Sequence, residues 1–417
     1  MRRAISRRWL TFSALSLLFF VVTAGTFSSL GVVLPAMVNE LHWTWTEAGV
    51  GYTVLGVACG LASFMPAVLI RLFGVRGTIF VGTVALIAGF GAMAATHSVG
   101  LYLAATVLVG VAFALCCTVP GTHVLTDLFE KRSLVVGAYF TLGSLGGVAG
   151  PLIYVAVHGL TQGWRPYWAT FVALSLVAGA AAILTTPGRR DESRHKTAAP
   201  EQPGPAEVIE GLKDWTVRRA LSTPQFYVIV GGYTTYLLVN TTAHGFAVEH
   251  LTERGVSASA AAFMLSLEAL IGSGVSVLGG MLGEKLSPKR LMIAALAALT
   301  LGMAGLAEAR GWGLMSVFAV GVGLGFGLSF VASTMLLFDY FGRGPNLELF
   351  SIMCMLSTTA ALGPAFGGWA RDTLGSFSQM FLLCAGVTVL MLLATLFMTP
   401  PVRRPAPAAG LVAERAL

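Results

Sequence analysis

Twelve times between residues 9 and 399 the chain runs through a stretch of mostly apolar residues, then breaks at a short polar or Gly/Pro-bearing connection. Stretches of about twenty apolar residues match the hydrocarbon thickness of a bilayer. Lipid offers the backbone no hydrogen bonds, so such stretches persist only as helices packed into a bundle. The expected spans are 9–37, 48–70, 78–96, 100–126, 133–157, 167–186, 225–248, 257–283, 291–307, 313–338, 347–370 and 377–399. Only 45 of the 417 residues, 11%, are Asp, Glu, Lys or Arg, and 56% are hydrophobic. A soluble domain carries about 25% charged residues. That balance excludes an ordinary soluble enzyme, a nucleic-acid-binding domain and a disordered chain.

The net charge of +7 follows topology rather than an acidic partner. With the amino terminus inside, 22 of the 26 Lys and Arg fall on inner segments, and only Arg165, Arg254, Arg310 and Arg371 fall outside. By the positive-inside rule both termini are expected in the cytoplasm of a plasma (inner) membrane protein. The opening "MRRAISRR" leads into an apolar stretch too long for the core of a signal peptide, so it reads as the first span.

One long polar interruption, 187–222, holds 13 of the 45 charges and separates six spans from six. Its first half is Pro-rich and expected to be mobile. Its second half places Val208, Ile209, Leu212 and Trp215 on one face of a short helix suited to the inner membrane surface. Landmarks recur across it at a constant distance. Gly150-Pro151 returns as Gly363-Pro364 and Arg76 as Lys289, each 213 residues later. "LFEKR" around Phe129 has its counterpart in "YFGRG" around Phe341, 212 residues on. A shared spacing argues for a duplicated six-span unit, and two such halves around a solute site at mid-membrane form a transporter architecture. The expected fold is therefore an all-α membrane protein, twelve transmembrane helices in two six-helix pseudo-symmetric halves around a central cavity. The units are 1–186, the cytoplasmic linker 187–222, 223–400 and a cytoplasmic tail 401–417.

The loop "GGMLGEKLSPKR" between spans 8 and 9 is similar to the G-x-L-x-D-R-x-G-R-K-R loop of the major facilitator superfamily. Gly280, Glu284, Lys285, Lys289 and Arg290 fall on its positions. The first-half copy, "AVLIRLFGVRG", keeps Gly74 and Arg76 but has Arg71 in the acidic place. The resemblance covers all twelve spans and implies an inner gate whose charge pairs break as the halves rock; Arg132 is counted with it. Within the superfamily, "LFEKRSLVVGAYFTLGSLGGVAGPL" and "LGPAFGGWARDTLGSF" resemble the monocarboxylate and oxalate:formate group. That group's span 8 Arg, which pairs with a substrate carboxylate, is replaced here by Ser276. Span 5 also reads Gly137-x8-Gly146-x3-Gly150-Pro151, similar to a motif of drug:proton antiporters, and equally a tight packing face with a proline bend; Gly363-Pro364 repeats it in span 11.

A formal charge at mid-membrane costs at least ~2.5–3.5 kcal/mol on insertion scales, so an exception asks for a reason. One acid lies far from any span end: Glu268, about eleven residues into span 8. Such a carboxyl can bind and release a proton near neutral pH. Asp127, Glu249 and Glu348 sit at span ends, and His123 with Asp127, four apart, suits a local ion pair. Span 7 carries Tyr233, Tyr236, Asn240 and His244 within roughly an 80° arc of one face. A polar line on an apolar span should look inward. Glu268 is thus the expected proton carrier, with His244, the ionisable member of the span 7 line, as a second proton-coupling candidate. Tyr233, Tyr236 and Asn240 are the expected solute contacts, joined by Thr26, Thr118, Ser329 and Ser333 on spans 1, 4 and 10, which by the resemblance line the cavity, and by Ser276 at the span 8 Arg position. No enzyme constellation, Walker-type loop, metal-ligand cluster or cofactor motif is present in the sequence, and Cys59, Cys116, Cys117, Cys354 and Cys384 have neither zinc nor redox spacing. The expected partners are a small organic solute, protons and the lipid bilayer, with no nucleic acid, and the chain is expected to be monomeric. The expected function is secondary active transport of a monocarboxylate or related organic anion, coupled to protons. The alternative is a proton-antiport exporter of lipophilic drugs or metabolites.

Overall fold

The computed structural model describes residues 2–129, 132–188, 215–282, 286–342 and 344–401. All regular structure there is helical. The first half comprises span 1 (Arg2–Gly25 and Phe27–Leu41), span 2 (from Trp45), span 3 (to Ala94), span 4 (Val99–Cys116 and Thr118–Leu128), span 5 (Arg132–Thr161) and span 6 (Arg165–Thr185). The second half comprises span 7 (Pro224–Glu253), span 8 (Ala258–Leu282), span 9 (Pro288–Glu308), span 10 (Trp312–Phe341), span 11 (Asn346–Ser357, a 3-10 turn Thr358–Leu362, and Gly363–Leu374) and span 12 (Ser378–Phe397). Twelve crossings put both termini on one side, here the terminal face; the other is the far face.

Ten of these helices are long and apolar enough to cross a membrane on those grounds alone. The broken span 2 and the polar-striped span 7 fall short, the latter because its tyrosines, threonines, asparagine and histidine dilute its apolar content. Spans 2 and 3 are joined more tightly than expected. The helix that starts at Met65 runs on to Ala94, and the chain changes direction at Gly74, whose φ of 75° only glycine adopts without strain. The shortest expected span, 291–307, is a complete 21-residue helix.

Spans 1 and 4 are interrupted at mid-membrane, at Thr26 and Cys117. Carbonyls freed at such breaks need partners, because lipid supplies none. Ser29 Oγ donates to one such carbonyl, Ala24 O, while Tyr139 Oη adds a bond to Cys117 O (2.8 Å), which also accepts from Gly121 N, and Tyr52 Oη adds one to Phe27 O (2.6 Å) at the start of the next helix. Buried tyrosines on spans 2 and 5 thereby fix the breaks in spans 1 and 4.

The span 5 motif packs tightly onto span 1. A side chain at Gly146 would overlap Phe20 O, and one at Gly150 would overlap Ala24 O, while Gly137 faces open space and Pro151 is buried. Gly363 does the same for span 11 against Thr242 and Leu238 of span 7. Of the linker, Val208, Ile209 and Leu212 lie outside the described residues. Trp215 packs edge-on against Phe341 at the end of span 10 (5.3 Å between ring centroids) and is followed by a short helix, Val217–Leu221.

Gly146→Ala is expected to destabilise the protein by about 1–3 kcal/mol through overpacking, whereas Gly137→Ala should leave stability unchanged. Thermal unfolding of both variants in the same detergent checks this. A motif serving transport alone would leave both midpoints at the parental value.

Candidate functional site

Glu268 is the eleventh residue of span 8, midway along it, and is 1% exposed. Its Oε2 lies 3.2 Å from Nε2 of His244 on span 7. The other ring nitrogen, Nδ1, is 3.0 Å from the carbonyl oxygen of Asn240, one turn earlier. Neither carboxylate oxygen has another protein partner among the described residues. Tyr52 and Tyr236 stand within electrostatic reach of the carboxyl. The pair is dry, and only its mutual contact offsets the cost of burying an ionisable group.

The pair also sits where the halves meet. Gly31 of span 1 lies so close to span 7 that a side chain there would overlap the carbonyl oxygen of His244 itself. On the next residue of span 8, Ala269 faces Gly147 of span 5. His244 and Glu268 belong to the second half, and the backbones that carry them are the surfaces on which spans 1 and 5 of the first half rest.

On the far side of the pair, spans 2 and 11 form a close seam. Gly49 lies against Pro364 O, and Ala365 N donates to Thr53 Oγ1 (3.1 Å). At its end Asp372, from the second half, caps the first turn of span 2 in the first half. Its carboxylate accepts from Trp45 N (3.1 Å), Thr46 N (2.8 Å) and Thr46 Oγ1 (2.5 Å). Unpaired N–H groups and the positive end of the helix dipole both favour a carboxylate there. The far side is therefore closed.

The remaining expected site residues fall into three groups. Tyr233, Tyr236 and Asn240 share the face of span 7 that leads from the pair toward the terminal face, opposite Phe326 and Phe330 of span 10. Ser329 is fully buried and its Oγ has no partner among the described residues, while Thr118 is exposed on span 4. The hydroxyls of Thr26, Ser276 and Ser333 donate to carbonyls earlier in their own spans, at Thr23 O (3.4 Å), Gly272 O (2.9 Å) and Ser329 O (2.7 Å). Ser and Thr in apolar helices find those carbonyls before any other acceptor.

Of the expected inner gate, Lys289 donates to Leu396 O (2.9 Å) and Met398 O (2.7 Å), holding span 9 to the carboxyl end of span 12 inside the second half. Arg76 and Arg290 are exposed, and Gly280 lies in the last turn of span 8. Glu284, Lys285 and the side chain of Arg132 lie outside the described residues. His123 and Asp127 approach to 4.0 Å at the exposed end of span 4. Arg371, in the last turn of span 11, is paired with Glu253 (2.8 Å) at the far face rather than free to hold an anion.

Tyr52, Phe326, Phe330 and Asp372 complete the picture without having stood out in the sequence as site residues. Phe326 and Phe330 could have been found as an i, i+4 pair beside Ser329 and Ser333.

A family model, the Major Facilitator Superfamily, matches residues 15–346 and 238–415. The chain belongs to this superfamily. It is 22% identical over 375 residues to the uncharacterized transporter YycB of Bacillus subtilis (strain 168), covering 87% of each. The fold is similar to that of the nucleoside transporter NupG (TM-score 0.71, 12% identity, 94% of this chain and 98% of that one). It is also similar to the tetrameric PepTSo2 structure (TM-score 0.68, 14% identity, 93% and 97%). At such identities the likeness concerns the fold. Superfamily membership makes the chain a multi-pass membrane transporter of small solutes.

Asp372→Ala is expected to shift the equilibrium away from the far-side-closed form. Spin labels at the far ends of spans 2 and 11 should show a new, longer distance population in the variant. An unchanged distribution would mean that the cap is dispensable for closure.

Proposed function

We propose that the chain is a proton-coupled, alternating-access transporter of a small organic solute in the plasma (inner) membrane, with Glu268 carrying the coupling proton and His244 sharing it. The 3.2 Å contact between them, at the junction of the halves, carries this reading. With one proton between them the pair is neutral overall, whether written as imidazolium and carboxylate or as imidazole and carboxylic acid. Removing that proton leaves −1 and adding a second gives +1, and either charge is costly to hold in hydrocarbon. The closed, dry arrangement therefore favours the singly protonated pair.

Rocking the halves apart on the far side separates span 1 from span 7 at Gly31 and His244 and lets water reach the pair. Protonation and conformation are thereby linked, because each state offers the proton a different environment. Solute binds toward the terminal face along Tyr233, Tyr236 and Asn240, and its presence completes the hydrogen bonding that the closed form leaves open. A solute carboxylate of the kind expected from the sequence resemblance would rely on a doubly protonated pair as its only nearby cation. An exporter exchanging a lipophilic solute for protons would use the same residues with the opposite direction of flow.

In proteoliposomes with an imposed pH gradient, Glu268→Gln is expected to abolish gradient-driven accumulation while solute exchange without a gradient persists. His244→Gln should retain transport with a displaced pH profile. Accumulation by Glu268→Gln at the parental rate, with unaltered pH dependence, would remove the pair from the coupling mechanism.

A further inference from the structure

Beyond the proton pair, the same site carries a signature of what it holds. Tyr233 and Tyr236 of span 7 face Phe330 and Phe326 of span 10, with ring centroids 6.3 Å apart for Tyr233–Phe330 and 5.7 Å for Tyr236–Phe326. The two tyrosine rings are themselves 5.8 Å apart. Phe326 is seated against Gly272 of span 8, where a side chain would collide with its ring, so this wall is fixed in place. Phe330 is 47% exposed although it contacts Tyr233, which is 9% exposed. It is the member of the wall that presents open ring surface.

Polar groups beside these rings are left without protein partners. Among the described residues no side chain pairs with the Tyr233 phenol, the Tyr236 phenol or the Asn240 amide, and the buried Ser329 Oγ is unpartnered. Unpaired phenol and amide groups at membrane depth are available to water or a bound molecule. Four aromatic rings and a short row of donors and acceptors thus line one surface.

That surface has no permanent positive charge. No Lys or Arg occurs between residues 9 and 70, 77 and 130, 220 and 253, 255 and 284, or 311 and 342, the stretches that hold spans 1, 4, 7, 8 and 10. The ionisable groups beside the wall are Glu268 and its partner His244. A carboxylate or phosphate would meet no guanidinium or ammonium, whereas aromatic faces and an acid favour uncharged or cationic rings.

We infer that the solute is a flat heteroaromatic compound without negative charge, its ring against Phe330 and Tyr236 and its edge bonded by Tyr233 and Asn240. This rests on reading the space between the halves as the transport site, and it departs from the organic-anion expectation.

The test is binding to the purified full-length protein in lipid nanodiscs, by calorimetry and thermal shift. The probes are nicotinamide, adenine and benzimidazole, set against nicotinate, cyclohexanecarboxamide and lactate. At least one uncharged ring compound is expected to bind and raise the unfolding midpoint, with the three controls inactive at equal concentration. Phe330→Leu should weaken that binding about three- to ten-fold, the range of one aromatic contact, and Asn240→Ala should weaken it without lowering the midpoint of the empty protein. Binding of nicotinate or lactate in preference to the uncharged rings, equal binding of cyclohexanecarboxamide, or no binding by any ring compound would overturn the inference. Its failure is separable from that of the coupling mechanism. Lactate accumulation that depends on Glu268 would sink the ring reading and keep the proton pair; ring binding with Glu268→Gln still driven by the gradient would do the reverse.

Discussion

The contact between His244 and Glu268 is the constraint around which the rest of the bundle is arranged. An isolated carboxyl in a helix centre is costly in lipid, and an imidazole on the neighbouring helix is the least disruptive way to accommodate it. Because the two residues come from spans 7 and 8, their contact fixes the relative rotation of those helices. Because spans 1 and 5 rest on the same stretch of backbone, it also lies on the surface that must part when the halves move.

What allows so close a junction is the absence of side chains. Gly31 against His244 and Gly49 against Pro364 bring backbones of opposite halves into direct contact, where dispersion rather than hydrophobic burial supplies the attraction. Spans 1 and 4 are interrupted beside this junction, and tyrosines from spans 2 and 5 tie down the carbonyls at which the chain resumes its helix. Asp372 adds a charged latch at the far end, where water keeps the cost of moving it low. Among the described residues the protein is tightly packed at this junction, with the cross-half polar contacts of Asp372 and Thr53 on the far side, an arrangement suited to opening there.

Much of this was legible in the amino-acid sequence. All twelve spans follow from runs of apolar residues, since crossing a bilayer leaves few other choices, and Glu268 stands out because charge at that depth is rare. The stripe on span 7 follows from helical periodicity. Its contact with Glu268 does not, because periodicity gives the face of one helix and says nothing about which face of the next helix meets it. For the same reason the ring wall on span 10 escaped notice, since Phe326 and Phe330 look like any lipid-facing phenylalanines until span 7 is placed beside them. Lys289 shows the opposite case. Its motif position suggests charge pairing, and nothing in the motif foretells its bonds to the carbonyls at the carboxyl end of span 12. The break in span 1 directly follows Gly25, and the break in span 4 lies three residues before Pro120, which cannot donate to Cys116 O, so both carry a local signal that the surrounding apolar run conceals.

Proton affinity that changes with conformation is the heart of the account, and infrared difference spectroscopy reads it directly. Protein held far-side-closed by a cross-link between spans 2 and 11 would be titrated beside protein free to open, with Glu268→Gln used to assign the carboxylic acid band. The account predicts that the Glu268 band titrates at a different pH in the two forms. Superimposable titrations would contradict it.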